Sequence, residues 1–208
     1  MPKENSNVFT TLGATNHTTD TREPLDYYAT NPEALRLLLK EEMFNNIIWE
    51  PASGGGHLVK ELEMHGYKVI STDIKNYGSQ DAVFDFLNPK EYASSIPKDI
   101  DILTNPPYGA ALDFVKQALN HINEGREVIM FLRLAFLEGQ ERYNFFKENP
   151  PKKIYVLSNR FACAKNGIFY KDGKLIGSAI SYAWFIWEKG FKGDPIIKWL
   201  KKSSEKDF

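Results

Sequence analysis

One cysteine, Cys163, occurs in 208 residues. That scarcity excludes an intrachain disulfide framework and a cluster of thiolates for zinc, so no metal is expected and a reducing, cytoplasmic setting is. Also missing is any apolar run near the roughly 20 residues of a membrane span. The polar opening "MPKENSNVFTTLGATNHTTDTRE" has no apolar centre of a secretory signal. Charge of one sign is lacking too, since 26 Lys and Arg face 27 Asp and Glu for a net charge of -1. A nucleic-acid binder usually carries surplus cations. One local surplus exists: Glu141 to Lys174 holds five more basic than acidic residues, with Arg160, Lys165, Lys171 and Lys174 in its second half.

What is present, 42% hydrophobic and 13% aromatic residues, suffices for one buried core. Residues 1–20 are rich in Asn, Thr and Ser without hydrophobic period and read as a flexible tail; residues 21–208 read as one domain. "TNPEALRLLLKEE" is a helix with Thr30 or Asn31 as cap and Pro32 in its first turn. After it, strands "NIIWEP", "YKVISTDI", "AVFDF", "DIDILTN", "EVIMFLRL", "KKIYVLS" and "AISYAWFIWE" are interleaved with helices from about His57 to His65, in "AALDFVKQALNHI" and in "LEGQERYNFFKE". Continuous apolar strands alternating with helices predict a doubly wound α/β fold with a mostly parallel, seven-stranded sheet. The last two strands lack a helix between them, and Asp-Gly in "GIFYKDGKLIG" marks a hairpin tip. The last strand is therefore expected to be antiparallel, at the sheet's end, followed by a terminal packing segment that carries Trp199.

"IIWEPASGGGHLVKEL" runs strand, acidic residue, glycine turn and helix, an arrangement that binds adenosine-containing cofactors at a first strand end. The nicotinamide fingerprint G-x-G-x-x-G fails, because no third glycine follows Gly56 at the required spacing, and the phosphate loop's Gly-Lys-Ser/Thr is missing. Instead Glu50 precedes the loop and Asp73 ends the next strand. Carboxylates there repel pyrophosphate and suit hydroxyl and ammonium groups. A cofactor with a ribose, an amino acid and no phosphate fits, and S-adenosylmethionine is such a molecule.

The second constellation is "DILTNPPYGAALDFVKQAL". Two prolines stop the strand at Asn105 and delay the helix beyond Tyr108. The Asn105 amide oxygen and the Pro106 carbonyl are two acceptors suited to a planar amino group, and the Tyr108 ring can stack on the plane that bears it.

The "NPPY" of Asn105, Pro106, Pro107 and Tyr108, in register with "EPASGGGH" and Asp73, resembles the amino methyltransferases that use S-adenosylmethionine. The likeness is greatest to phage and bacterial DNA adenine-N6 methyltransferases, over about Arg22 to Lys202. The resemblance implies a Rossmann-like class I methyltransferase fold and methyl transfer to the N6 of an adenine flipped out of duplex DNA. It further implies that Tyr28 and Thr30 close over the methionine part of the cofactor, that Glu50, Pro51, Gly54 and Gly56 line it, that Asp73 holds the ribose hydroxyls, and that Asp85 with Phe86 holds the adenine. Asn105, Pro106 and Tyr108 would hold the target base, Phe161 would cover its other face, and Arg160, Lys165, Lys171 and Lys174 would neutralise phosphates.

No block the size of a target-recognition domain is present, so specificity is expected to rest on short loops. The same motif chemistry serves RNA adenine methyltransferases and enzymes that methylate a protein glutamine, and an idle nucleic-acid-binding module of the same fold is a further alternative.

Overall fold

In the computed structural model, residues 28–161, 163, 167, 169–175 and 178–202 are described. The tail expected over residues 1–20 and Lys165 lie outside them. Helix α1 (Pro32–Leu39) takes Asn31 as its cap: the Asn31 side chain accepts a hydrogen bond from the Glu33 amide at 2.9 Å. Of the two candidates the fold thus selects Asn31, which leaves Thr30 free for another task.

The strands β1 (Ile47–Glu50), β2 (Lys68–Asp73), β3 (Ala82–Val83), β4 (Asp101–Thr104), β5 (Glu127–Arg133) and β6 (Lys153–Leu157) follow the expected order. Helices α2 (His57–Met64), α3 (Ala111–His121) and α4 (Gln140–Glu148) connect them. The hairpin is present as β7 (Tyr170–Lys171) paired antiparallel with β8 (Lys174–Leu175). Strands β9 (Tyr182–Glu188) and β10 (Ile196–Leu200) are the last of the described strands.

Among the described residues the main sheet has eight strands, in the order β10-β6-β9-β5-β4-β1-β2-β3. It is mostly parallel, as expected, but the count of seven falls one short and the antiparallel strand is not terminal. Strand β9 is antiparallel to both β5 and β6 and lies between them. The extra strand, β10, runs parallel to β6 from Ile196 opposite Lys153. In place of the expected packing segment it is an edge strand, on which Ile196, Ile197 and Trp199 are exposed. Trp184 and Trp187, by contrast, are core residues of β9.

Successive residues of each strand feed opposite faces of the sheet. Ile48 joins Leu103, Ile129 and Phe131 beneath α1 and α2, while Trp49 joins Ile102, Val128 and Met130 beneath α3. Trp49 is the anchor of the second face. Its ring meets Phe86, Tyr92 and His121 edge-on at 4.8 to 5.2 Å, and its indole N–H donates to Thr72 Oγ1 at 2.9 Å. Truncating a buried ring of this kind costs about 3–5 kcal/mol, and here it would also release the residue that follows, Glu50.

From β1 the chain winds outward through β2 and β3, then returns to lay β4 on the other side of β1. The strand order therefore reverses between β1 and β4. In an open α/β sheet the crevice at the carboxyl ends of two such strands is where a ligand enters.

Candidate active site

The β1 end is built by a turn that only glycine accommodates cheaply. Gly54 and Gly56 have φ of 49° and 72°, and a side chain in that left-handed region costs roughly 1–2 kcal/mol. The turn is tied to β2, since the Gly54 amide donates to Asp73 Oδ2 at 2.9 Å. Asp73 Oδ1 accepts from the Lys75 amide at 3.0 Å. Two backbone donors thus hold the carboxylate in one orientation. The β4 end is shaped by Pro106 and Pro107, after which a short 3-10 turn (Tyr108–Ala110) leads into α3.

Between these ends lies a cavity of about 510 Å³, within the roughly 300–1,000 Å³ of small-molecule sites. Tyr28, Thr30, Glu50, Pro51, Asp73, Asp85, Phe86, Asn105 and Pro107 all line it, so the sequence brings nine of its candidates to one place. Gly54 and Gly56 are not on the wall; they shape the turn, and Ala52 and Ser53 present the surface instead. Pro106 is buried just behind Asn105. Sequence reasoning missed His57, Tyr77 and Phe114, which also face the cavity. Only His57 had a local signal, as the residue directly after the glycine turn; Tyr77 and Phe114 arrive from a loop and a helix whose orientation no motif encodes.

The wall is polar in an unusual way. Thr30 Oγ1, Glu50 Oε2, Ser53 Oγ and Asn105 Oδ1 are buried and have no hydrogen-bond partner among the described residues. Leaving a buried polar group unpaired costs about 1–3 kcal/mol, and four of them on residues that line one cavity point to a ligand that completes them. Among the described residues the lining includes three carboxylates and no Lys or Arg. Burial and, next, the charge of Asp73 hold the Glu50 carboxyl well above the ordinary range, and burial also raises Asp73. The His57 imidazole is lowered by burial and by Lys60. A ligand with hydroxyls and positive charge suits such a wall; a nucleoside phosphate does not. Among the described residues no group of three or more His, Cys, Asp or Glu could hold a metal.

Tyr108 lies beside the cavity and does not line it. Its hydroxyl bonds to Cys163 Sγ at 3.1 Å and the Tyr182 hydroxyl at 3.3 Å, and the Arg133 guanidinium sits 4.3 Å from its ring centroid. Burial first, then Cys163 and Tyr182, raise the Tyr108 phenol far above its usual value, so it stays protonated.

Phe161 is a correction: it is 1% exposed and packed with the core cluster beneath α1 and α2, not presented to a base. A phenylalanine so enclosed gains more from apolar burial than an open loop position would return. Arg160 is exposed and donates to the Ala179 carbonyl at 2.7 Å. Lys171 and Lys174 sit on the hairpin, where the backbone alone is described. The basic surplus as a whole does not converge. Lys152 pairs with Glu127 and Glu188 and Lys153 with Glu42, at the start of β6 and so at the sheet end opposite the cavity.

No protein-family model matches the sequence, and no curated protein is detectably similar to it. Solved structures do match in fold. A protein of Listeria monocytogenes assigned to the class I S-adenosylmethionine-dependent methyltransferases aligns with a TM-score of 0.56 at 15% identity, over 94% of this chain and 71% of that one. The M protein of the type I restriction enzyme EcoKI aligns with a TM-score of 0.55 at 13% identity, and the chain, 88% of it covered, spans about half (51%) of that protein. A Pyrococcus horikoshii protein assigned as an RNA methyltransferase gives 0.53 at 16% identity, over 84% of this chain and 95% of that one. Among the described residues no helix is long and apolar enough to cross a membrane. The chain therefore has the Rossmann-like α/β fold that these methyltransferases share.

Proposed function

We propose that the chain is an S-adenosylmethionine-dependent methyltransferase that modifies the N6 amino group of adenine in DNA. The observation that carries the reading is the cavity wall: among the described residues, four unpartnered buried polar atoms and three carboxylates, with no Lys or Arg, at the strand-order reversal. Asp73, held by two backbone amides, would accept the ribose hydroxyls. Glu50, Thr30 and Ser53 would meet the polar and cationic parts of the cofactor, and Asp85 with Phe86 its adenine. Bound there, S-adenosylmethionine would supply an electrophilic methyl group.

The chain's own part in transfer is positional. Asn105 Oδ1 and the Pro106 carbonyl would accept the two hydrogens of the target amino group, draw its nitrogen out of conjugation and turn its lone pair toward the cavity. The same two acceptors would stabilise the positive charge that develops on that nitrogen as it takes the methyl group. The surplus proton then leaves to water, so no strong base is required. DNA is proposed over RNA as acceptor from the likeness of the motifs to DNA adenine enzymes; the solved structures of similar fold include both a restriction-modification M protein and a protein assigned as an RNA methyltransferase. Calorimetry tests the cofactor half: S-adenosylmethionine and S-adenosylhomocysteine should bind one per chain, and ATP and NAD should not. Binding of the phosphate-bearing nucleotides in their place would overturn the reading.

A further inference from the structure

The proposed target-base site has an occupant of its own. Arg133, the last residue of β5, ends at the same edge of the sheet as the cavity and is exposed. Its guanidinium lies over the Tyr108 ring, 4.3 Å from the centroid, and among the described residues it has no carboxylate within ion-pair distance. The ring beneath it cannot turn away. The Tyr108 hydroxyl is tied to Cys163 and Tyr182, and Tyr182 stands directly opposite Arg133 in the β5–β9 pairing. Tyr182 is fixed in turn by stacking on Phe131, with 5.0 Å between centroids and 12° between planes.

A planar cation on a fixed aromatic face, three residues from an amide whose oxygen has no partner, occupies the space a stacked base needs. We infer that Arg133 is a gate for the nucleotide: it covers the stacking face of Tyr108 in the free protein, is displaced by the incoming base, and then neutralises a phosphate beside it. The exchange is favourable, because an exposed cation–π contact is weaker than the stacking of a base on an aromatic side chain. The guanidinium also retains its charge after leaving the ring, which suits phosphate. This inference rests on the proposed base site.

The test uses an oligothymidine strand carrying a single 2-aminopurine, whose fluorescence is quenched on an aromatic face, with S-adenosylhomocysteine present to fill the cofactor cavity. The unsubstituted chain should quench the probe at saturation, and Tyr108→Leu should not. Arg133→Ala should keep the full quench at saturation while its slope of log affinity against log salt falls by about 0.7, the loss of one phosphate contact on a single strand; Arg133→Lys should restore that slope. An Arg133→Ala protein with an unchanged slope, or with quenching reduced to the Tyr108→Leu level, overturns the gate while leaving the base site intact. Absence of quenching by the unsubstituted chain overturns the base site itself, and the gate with it.

Discussion

The Asn105 side-chain amide donates to the backbone carbonyl of Tyr28 at 3.1 Å, joining segments 77 residues apart. That bond uses the nitrogen side of the amide and fixes the oxygen side, Oδ1, as a buried acceptor without a partner. The orientation suits the proposed amino-group substrate.

Asn105→Ala should therefore lower the rate of methyl transfer by about 10²–10³-fold, the effect of removing one positioned transition-state hydrogen bond, while cofactor affinity stays largely intact. Single-turnover kinetics alongside calorimetry separates the two. Equal losses in both would count against the role assigned to Oδ1.

Asp73→Ala removes two anchored acceptors for hydroxyls. Hydrogen bonds to a charged group contribute about 1.5–3 kcal/mol, so cofactor affinity measured by calorimetry should fall at least tenfold. Some stability should be lost as well, because the Gly54 and Lys75 amides lose their partner. An unchanged affinity would take Asp73 out of the pocket.

Glu50 makes the free protein sensitive to pH. Its carboxyl is held protonated by burial and by Asp73 to a pH well above that at which the unfolded chain ionises. In that window the folded state binds more protons than the unfolded state, so stability is highest below the ordinary carboxylate range and declines as pH rises toward the raised folded value. Asp73, also raised by burial, acts in the same direction. A cationic ligand favours the ionised form, so cofactor affinity should increase with pH through this window and binding should release protons. In Glu50→Gln most of that proton release should vanish, as calorimetry in buffers of different ionisation enthalpy would show.

Thr30 offers a test that separates function from folding. Its hydroxyl is buried and unpartnered, so Thr30→Val should leave the melting temperature unchanged or raise it, because a polar group that gains no hydrogen bond on folding is removed. The same change should weaken S-adenosylmethionine binding several-fold. A lower melting temperature with normal binding would mean that the hydroxyl serves the fold.

The sequence was most legible where backbone chemistry is restrictive. Pro106 and Pro107 end β4, the glycines end β1, and Asn105, Glu50 and Asp73 then meet because a parallel sheet aligns strand ends. It was least legible where side-chain surroundings decide. Phe161 follows a strand and precedes a loop in the manner of an exposed aromatic, yet the space under α1 takes it into the core. Lys152 and Lys153 look like part of one basic patch, but strand direction carries them to the far end of the sheet. Strand β10 owes its place to backbone pairing with β6: its sequence IIKWL is as apolar as an interior strand, but of its residues only Leu200 is buried. Arg133 over Tyr108 had no signal, since the two come from different strand ends.

The most direct measurement is to incubate the purified chain with S-adenosylmethionine labelled in its methyl group and, in separate reactions, unmethylated duplex DNA, total RNA and a protein extract, then to analyse the labelled product residue by residue. The account predicts label in N6-methyladenine from DNA, lost in Asn105→Ala. Label confined to RNA or protein would contradict the proposed substrate, and no label in any acceptor with cofactor bound would contradict catalysis itself.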